Sequence, residues 1–193
     1  MAVFDSFGGT GIDLPRVPAL PWPSPAKYRL DVVATDVLDV IEHAGGWLFD
    51  RGMAGWEVRV LIPRGCDARP LRILGAQVFN LGLVSDVCVV GHMPQALAMA
   101  ASIDLREPRT RRRLVSAWGH RATEVVMWGA PWPPSDGREV IPVRYALSAA
   151  ARVFKAHAIA AVAGTVTDVA ATEAFFRSGF TGPSPGTDLQ PVS

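Results

Sequence analysis

Residues 56–67 read Trp-Glu-Val-Arg-Val-Leu-Ile-Pro-Arg-Gly-Cys-Asp. The run from Trp56 to Ile62, rich in β-branched and aromatic residues and stopped by Pro63 and Gly65, has the composition of a strand. Asp67 then suits the cap of a helix with Pro70 in its first turn. That helix carries Leu71, Leu74, Val78 and Leu81. Strand, tight stop and helix, in that order, make half of a parallel crossover unit.

The same unit recurs along the chain. Asp86–Val90 is apolar without alternation, as expected of a strand covered on both faces, and it halts at Gly91-His92. Glu124–Trp128 is a third run of this kind, closed by Gly129, and Glu139–Val143 is a candidate fourth. Helical spacing joins them. From Tyr28 to a stop near Gly52 or Gly55, Leu30, Val33, Val37, Ile41, Ala44 and Leu48 recur on one face. Met93–Ser102, Pro108–Trp118 and Val143–Ala163 also read as helices, and a short last helix is expected from Thr167 or Asp168 through Phe176.

Alternating short strands and helices predict an α/β fold with right-handed crossovers. The expectation is a small three-layer Rossmann-like domain with a short, mainly parallel sheet of three to four strands flanked by helices. It spans residues 28–179. A Gly/Pro-rich N-terminal arm, 1–27, precedes it, with Pro15, Pro18, Pro21, Pro23 and Pro25 barring a helix. A Gly-, Pro- and Ser-rich tail, 180–193, is expected to be flexible.

Composition narrows the function classes. With 193 residues, 49% of them hydrophobic, the chain can bury a core without disulfides or metal. No run approaches the roughly 20 apolar residues of a membrane span. The N-terminus lacks the basic-then-apolar order of a signal peptide, so a soluble cytoplasmic protein is expected. Cys66 and Cys88 form no CxxC. The net charge of +1 gives no overall pull towards nucleic acid or membrane.

In open parallel sheets, ligands bind beyond the carboxyl ends of the strands. Those ends offer Arg64, Asp67, His92 and Trp128, with Trp132 and Asp136 on the following loop. A cation, a carboxylate, an imidazole and flat aromatics suit an anionic or aromatic small molecule. The plainer alternatives are a helix cap at Asp67, a surface histidine at 92 and packing tryptophans. Arg109, Arg111, Arg112 and Arg113, within a basic region from Arg106 to Arg121, form a second candidate surface for phosphates or an acidic partner. Asp104 and Glu107 dilute that region, and no aromatic ladder accompanies it, which argues against nucleic acid.

The four histidines, His43, His92, His120 and His157, have no metal spacing. Gly8-Gly9-Thr10-Gly11 lacks both the preceding strand and the Lys-Ser/Thr ending of a phosphate loop. Neither metal nor cofactor is expected. Cys66 becomes a nucleophile only if His92 lies beside it. Glu173–Phe180 resembles the closing helix and strand of the GNAT acetyltransferases, but their Arg/Gln-x-x-Gly-x-Gly/Ala signature is missing, and neither fold nor activity is carried over. Ala44–Arg51, followed by Gly55-Trp56, suits a tight helix-to-strand joint.

Two functional expectations follow. The first is a non-catalytic regulatory or adaptor protein acting through protein–protein contacts, since catalytic groups are sparse while loops are rich in Pro, Arg and Trp. The alternative is an enzyme or sensor that binds a nucleotide or another anionic metabolite at the carboxyl ends of the strands.

Overall fold

The computed structural model describes residues 28–81, 94–101, 103, 123–129, 140–165, 168–178 and 189–192. Eight strands form one sheet. In chain order the elements are β1 (Arg29–Val33), α1 (Val37–Met53), β2 (Glu57–Ile62), α2 (Arg69–Ile73), β3 (Gln77–Asn80), β4 (Ala96–Ala100), β5 (Glu124–Trp128), β6 (Val140–Ala146), α3 (Ala149–Ala163), β7 (Thr172–Ser178) and β8 (Leu189–Pro191). The spatial order is β3-β2-β1-β4-β5-β7-β6-β8. The first five strands are parallel. The last three join antiparallel. The mixed α/β class is as expected, but the sheet is twice the expected size and mixed.

Four segments differ from their sequence reading, each for a physical reason. Arg29–Val33 is the central strand β1, not the first turns of a helix. Leu30, Val32 and Val33 are all buried because both faces of β1 are covered, and that burial mimics helical spacing. Ala96–Ala100 has the composition of a helix former, yet it is β4. It pairs on both sides, with β1 and β5, and all five of its residues are buried, so tertiary context overrides propensity. Val143–Ala146 belongs to β6, and α3 begins only after Ser148, whose Oγ accepts from the Ala151 amide at 3.0 Å. Thr172–Ser178 is β7, between β5 and β6, rather than a final helix.

Two smaller differences follow the same pattern. Val78 lies in β3, because α2 ends at Ile73. Leu189–Pro191, inside the expected tail, pairs with β6. The strand expected at Asp86–Val90, the helix at Pro108–Trp118 and the arm 1–27 lie outside the described residues.

The core has two parts, one on each face of the sheet. The larger joins Leu30, Val32, Val58, Val60, Ala98, Val126 and Trp128 to Ile41, Trp47 and Leu48 of α1, Leu71 of α2 and Ala158 of α3. The smaller gathers Val33, Leu97, Met99, Val125 and Met127. In register, Val33 faces Met99 and Leu97 faces Val125, so these side chains share the opposite face.

The segment Ala44–Arg51 is the middle of α1. Gly46 lets that helix approach Leu147, since a Cβ there would lie 2.7 Å from Cδ1 and 3.0 Å from Cγ of that side chain. Buried Arg51 stacks its guanidinium over Trp56 at 4.3 Å and Trp47 at 5.3 Å. Asp50 accepts from the Tyr145 hydroxyl at 3.0 Å and from the Ser148 hydroxyl at 2.6 Å. These contacts tie α1 to β2, β6 and α3.

Candidate functional site

The sheet order reverses at β1. The chain steps from β1 outward to β2 and β3, then returns to lay β4 and β5 on the other side. Adjacent loops leave such a point in opposite directions and open a crevice at the carboxyl ends of the strands. By that rule the expected binding edge lies beyond Val33 of β1 and Ala100 of β4, with the end of β5 next to it.

What lines this edge follows from the β1–α1 joint, Ala34-Thr35-Asp36. Asp36 caps α1, and its Oδ1 accepts from the Leu38 amide at 2.7 Å and the Asp39 amide at 3.1 Å. Asp39 follows in the first turn, where a carboxylate complements the helix dipole. Its Oδ2 accepts from Nε1 of Trp128 at 2.8 Å. Trp128 ends β5 and has no exposed surface, so its indole fills the core while its one polar atom reaches a carboxylate at the edge. The other oxygen, Oδ1, lies 3.2 Å from Nδ1 of His43, which is also 3.0 Å from the Asp39 carbonyl oxygen. Asp39 and His43 are partly open to solvent, with side chains 34% and 44% exposed.

Gly129 closes β5 with φ of 96°, a conformation that favours glycine. The Ala101 amide, just past β4, donates to the Trp128 carbonyl at 2.8 Å. The ends of β4 and β5 are thus held together beneath the edge.

Among the described residues, the start of α1 brings negative charge to this edge. Two carboxylates stand at the start of α1, and Asp36 already accepts from the amides that would otherwise meet an anion there. Among the described residues, no three His, Cys, Asp or Glu side chains come together in a group able to hold a metal ion.

The residues expected from sequence separate. Trp128 is at the edge, as a buried support for Asp39 rather than an open aromatic platform. Arg64 follows β2, next to β1 in the sheet, and is exposed. Asp67 is exposed and engaged with its neighbour Arg69, which donates from its amide at 3.0 Å and from Nη2 at 2.8 Å. The Arg69 hydrogen bonds hold the Asp67 carboxyl below its ordinary range, and Asp67 in turn raises the Arg69 guanidinium. Cys66 is free and half-buried. His92, Trp132, Asp136, Arg109, Arg111, Arg112 and Arg113 lie outside the described residues.

Sequence reasoning did not single out Asp36, Asp39 and His43 as a group. Their signal is an Asp-x-x-Asp pair directly after a strand, with a histidine one helical turn on. It was hidden while β1 read as helix.

No family model matches this chain, and no curated protein matches it. Solved structures do share its fold. The A40926 pseudoaglycone deacetylase Dbv21 superposes with a TM-score of 0.57 at 12% identity, covering 81% of this chain and all of that one. The deacetylase of the teicoplanin pathway, in complex with teicoplanin, gives 0.54 at 12% identity over 80% of this chain and all of its own. The zinc-inhibited form of teicoplanin deacetylase Orf2 gives 0.52 at 11% identity, over 78% of this chain and 97% of its own.

These neighbours correct the expectation of a non-catalytic adaptor. Three solved chains that share this fold over 78–81% of this chain are deacetylases, which favours the alternative of an enzyme over the adaptor. Among the described residues, no helix is long and apolar enough to cross a membrane.

Proposed function

We propose that this chain is an enzyme acting on a small molecule at the carboxyl edge of β1, β4 and β5, and that its reaction is hydrolytic removal of an acyl group from nitrogen. The observation that carries this reading is the Asp39 carboxylate, fixed by the buried Trp128 indole at the point where the sheet order reverses. A held, partly solvated carboxylate is what a hydrolytic site needs to orient a water or the group that deprotonates it. The fold shared with deacetylases supports the reaction class by analogy.

The charge of the described edge favours a neutral, hydroxyl-bearing or amine-bearing ligand beside Asp36 and Asp39. Arg64 is proposed as a contact on the β2 side. His92 and Trp132 complete the proposed ligand set.

The test is release of free carboxylic acid from a panel of N-acylated amino sugars, with teicoplanin and the A40926 pseudoaglycone included. Wild type is expected to release acid, and Asp39→Asn is expected to lose about 100-fold or more of that rate. An inactive wild type across the panel overturns the reaction. Equal rates in wild type and Asp39→Asn overturn the site.

A further inference from the structure

The Trp128–Asp39 bond has a second end. Asp39 presents one carboxylate oxygen to the Trp128 indole and the other to the imidazole of His43. Three side chains from two elements thereby form a line: a buried donor, a carboxylate and a half-exposed imidazole. An imidazole whose one nitrogen is engaged by a fixed carboxylate is the arrangement in which the other nitrogen accepts a proton. The carboxylate selects the tautomer and stabilises the imidazolium that forms.

We infer that His43 is the proton acceptor of this site, with Asp39 as its positioning carboxylate and Trp128 as the support behind Asp39. The inference rests on the hydrolytic reading given above and deepens it by naming the group that handles the proton. Nδ1 is the ring nitrogen turned towards Asp39, 3.0 Å from its carbonyl oxygen and 3.2 Å from Oδ1. Both of those partners are acceptors, so Nδ1 carries the hydrogen and Nε2 keeps its lone pair.

The step balances without any further reagent. Water adds through oxygen to the acyl carbonyl carbon while one of its protons passes to Nε2 of His43. The carbon–nitrogen bond then breaks, and the same proton moves from Nε2 to the departing amine. The products are a carboxylic acid and an amine, and His43 returns to its neutral form.

The geometry also separates His43 from a helix-surface residue of no consequence. An exposed histidine four residues after an aspartate gains only a weak helical pairing. Here the aspartate is not free to turn towards solvent, because the buried indole holds its other oxygen. His43 thus lies beside a carboxylate held from the core, with its Nδ1 bonded to the helix carbonyl of Asp39.

The experiment combines nitrogen-15 NMR of the imidazole with kinetics on the substrate found in the acyl-release panel. In wild type, neutral His43 is expected to carry its proton on Nδ1, and Asp39→Asn is expected to keep that preference, since the Asp39 carbonyl still accepts there, while its turnover falls. His43→Ala is expected to lower kcat by about 100-fold or more with KM within about threefold, and added imidazole is expected to restore part of the lost rate. A wild-type ring protonated on Nε2 overturns the inference. So does turnover that survives His43→Ala, which leaves the hydrolytic reading standing. An inactive wild type overturns the hydrolytic reading, and the role of His43 with it.

Discussion

The Lys155 ammonium lies 2.7 Å from a Glu173 carboxylate oxygen, and both residues are buried where α3 and β7 meet the middle of α1. The same carboxylate accepts from the amides of Gly46 and Trp47, each at 2.9 Å. Nζ of Lys155 also donates to the Glu42 carbonyl at 2.6 Å. Two elements thus grip α1 between residues 42 and 47, directly behind the turns that carry Asp39 and His43. A buried ion pair adds little net stability over an apolar pair of the same shape, but removing one partner leaves an uncompensated charge.

Lys155→Met is accordingly expected to destabilise the fold by about 3–5 kcal/mol at neutral pH. Burial already pushes the Glu173 carboxyl above its ordinary range, against the pull of Lys155 and the two amides, and loss of Lys155 removes the main opposing influence. A carboxyl raised in the folded state favours folding when protonated, and that contribution is lost as pH rises through its folded value. The deficit of Lys155→Met should therefore shrink as pH falls towards the ordinary carboxyl range. Adding Glu173→Gln should recover most of it at neutral pH. Urea unfolding of the single and double variants across pH checks both signs, and a deficit that grows on acidification would contradict the account.

Gly46→Ala is expected to cost about 1–3 kcal/mol, the usual range for overpacking, although alanine is the better helix former by about 1 kcal/mol. Its methyl would press on the whole Leu147 isobutyl group, since Cγ as well as both Cδ atoms come too close. Leu147→Ala in the same chain should relieve part of the cost. Gly45→Ala is the control. Its Cβ would meet Leu74 at 3.3 Å, a contact that small adjustments can absorb. Chemical denaturation of the three variants gives the comparison.

The ease with which each part of the fold could be read tracks how local its cause is. Glu57–Ile62 and Glu124–Trp128 are legible because β-branched runs end at Pro63 and Gly129. Residues 29–33 and 96–100 are not, because only Val32 and Val33 favour a strand within Arg-Leu-Asp-Val-Val, and Ala-Leu-Ala-Met-Ala favours a helix. Their conformation comes from neighbours on both sides of the sheet. The antiparallel half was missed for a related reason. Glu173 and Phe175 fall within the expected short last helix, whereas they are the inward side of β7, paired with Tyr145 and Val143.

The site shows the same division. The general rule for parallel sheets names the same edge as the proposed site, and Trp128 and Arg64 are legible there as residues at or just after a strand stop. The Asp39 partnership was not, since it joins residues 89 positions apart. The Gly45-Gly46 and Trp47 pattern reads from sequence as a helix-to-strand joint, because its partners, Leu147, Glu173 and Arg51, are supplied by other elements or by the next turn.

Arg64→Ala should leave unfolding unchanged within about 0.5 kcal/mol, as for most exposed positions. If Arg64 contacts the substrate as proposed, KM should rise about tenfold with kcat little altered, the pattern of lost uniform binding. Steady-state kinetics on the active substrate reads both values. An unchanged KM would confine the site to the β1, β4 and β5 ends.

Trp128→Phe separates packing from positioning at the edge. Phenylalanine keeps most of the buried aromatic volume but has no N–H, so the Asp39 carboxylate loses its bond to the core. Hydrogen bonds to charged groups contribute about 1.5–3 kcal/mol, and a loss of that order is expected in urea unfolding. Asp39→Asn retains an acceptor oxygen for the indole and should cost less stability while costing more activity. If Trp128 supports Asp39, the variant should lower kcat more than it raises KM. A Trp128→Phe protein that is destabilised yet keeps full turnover would reduce Trp128 to a core residue and leave Asp39 to be held by other means.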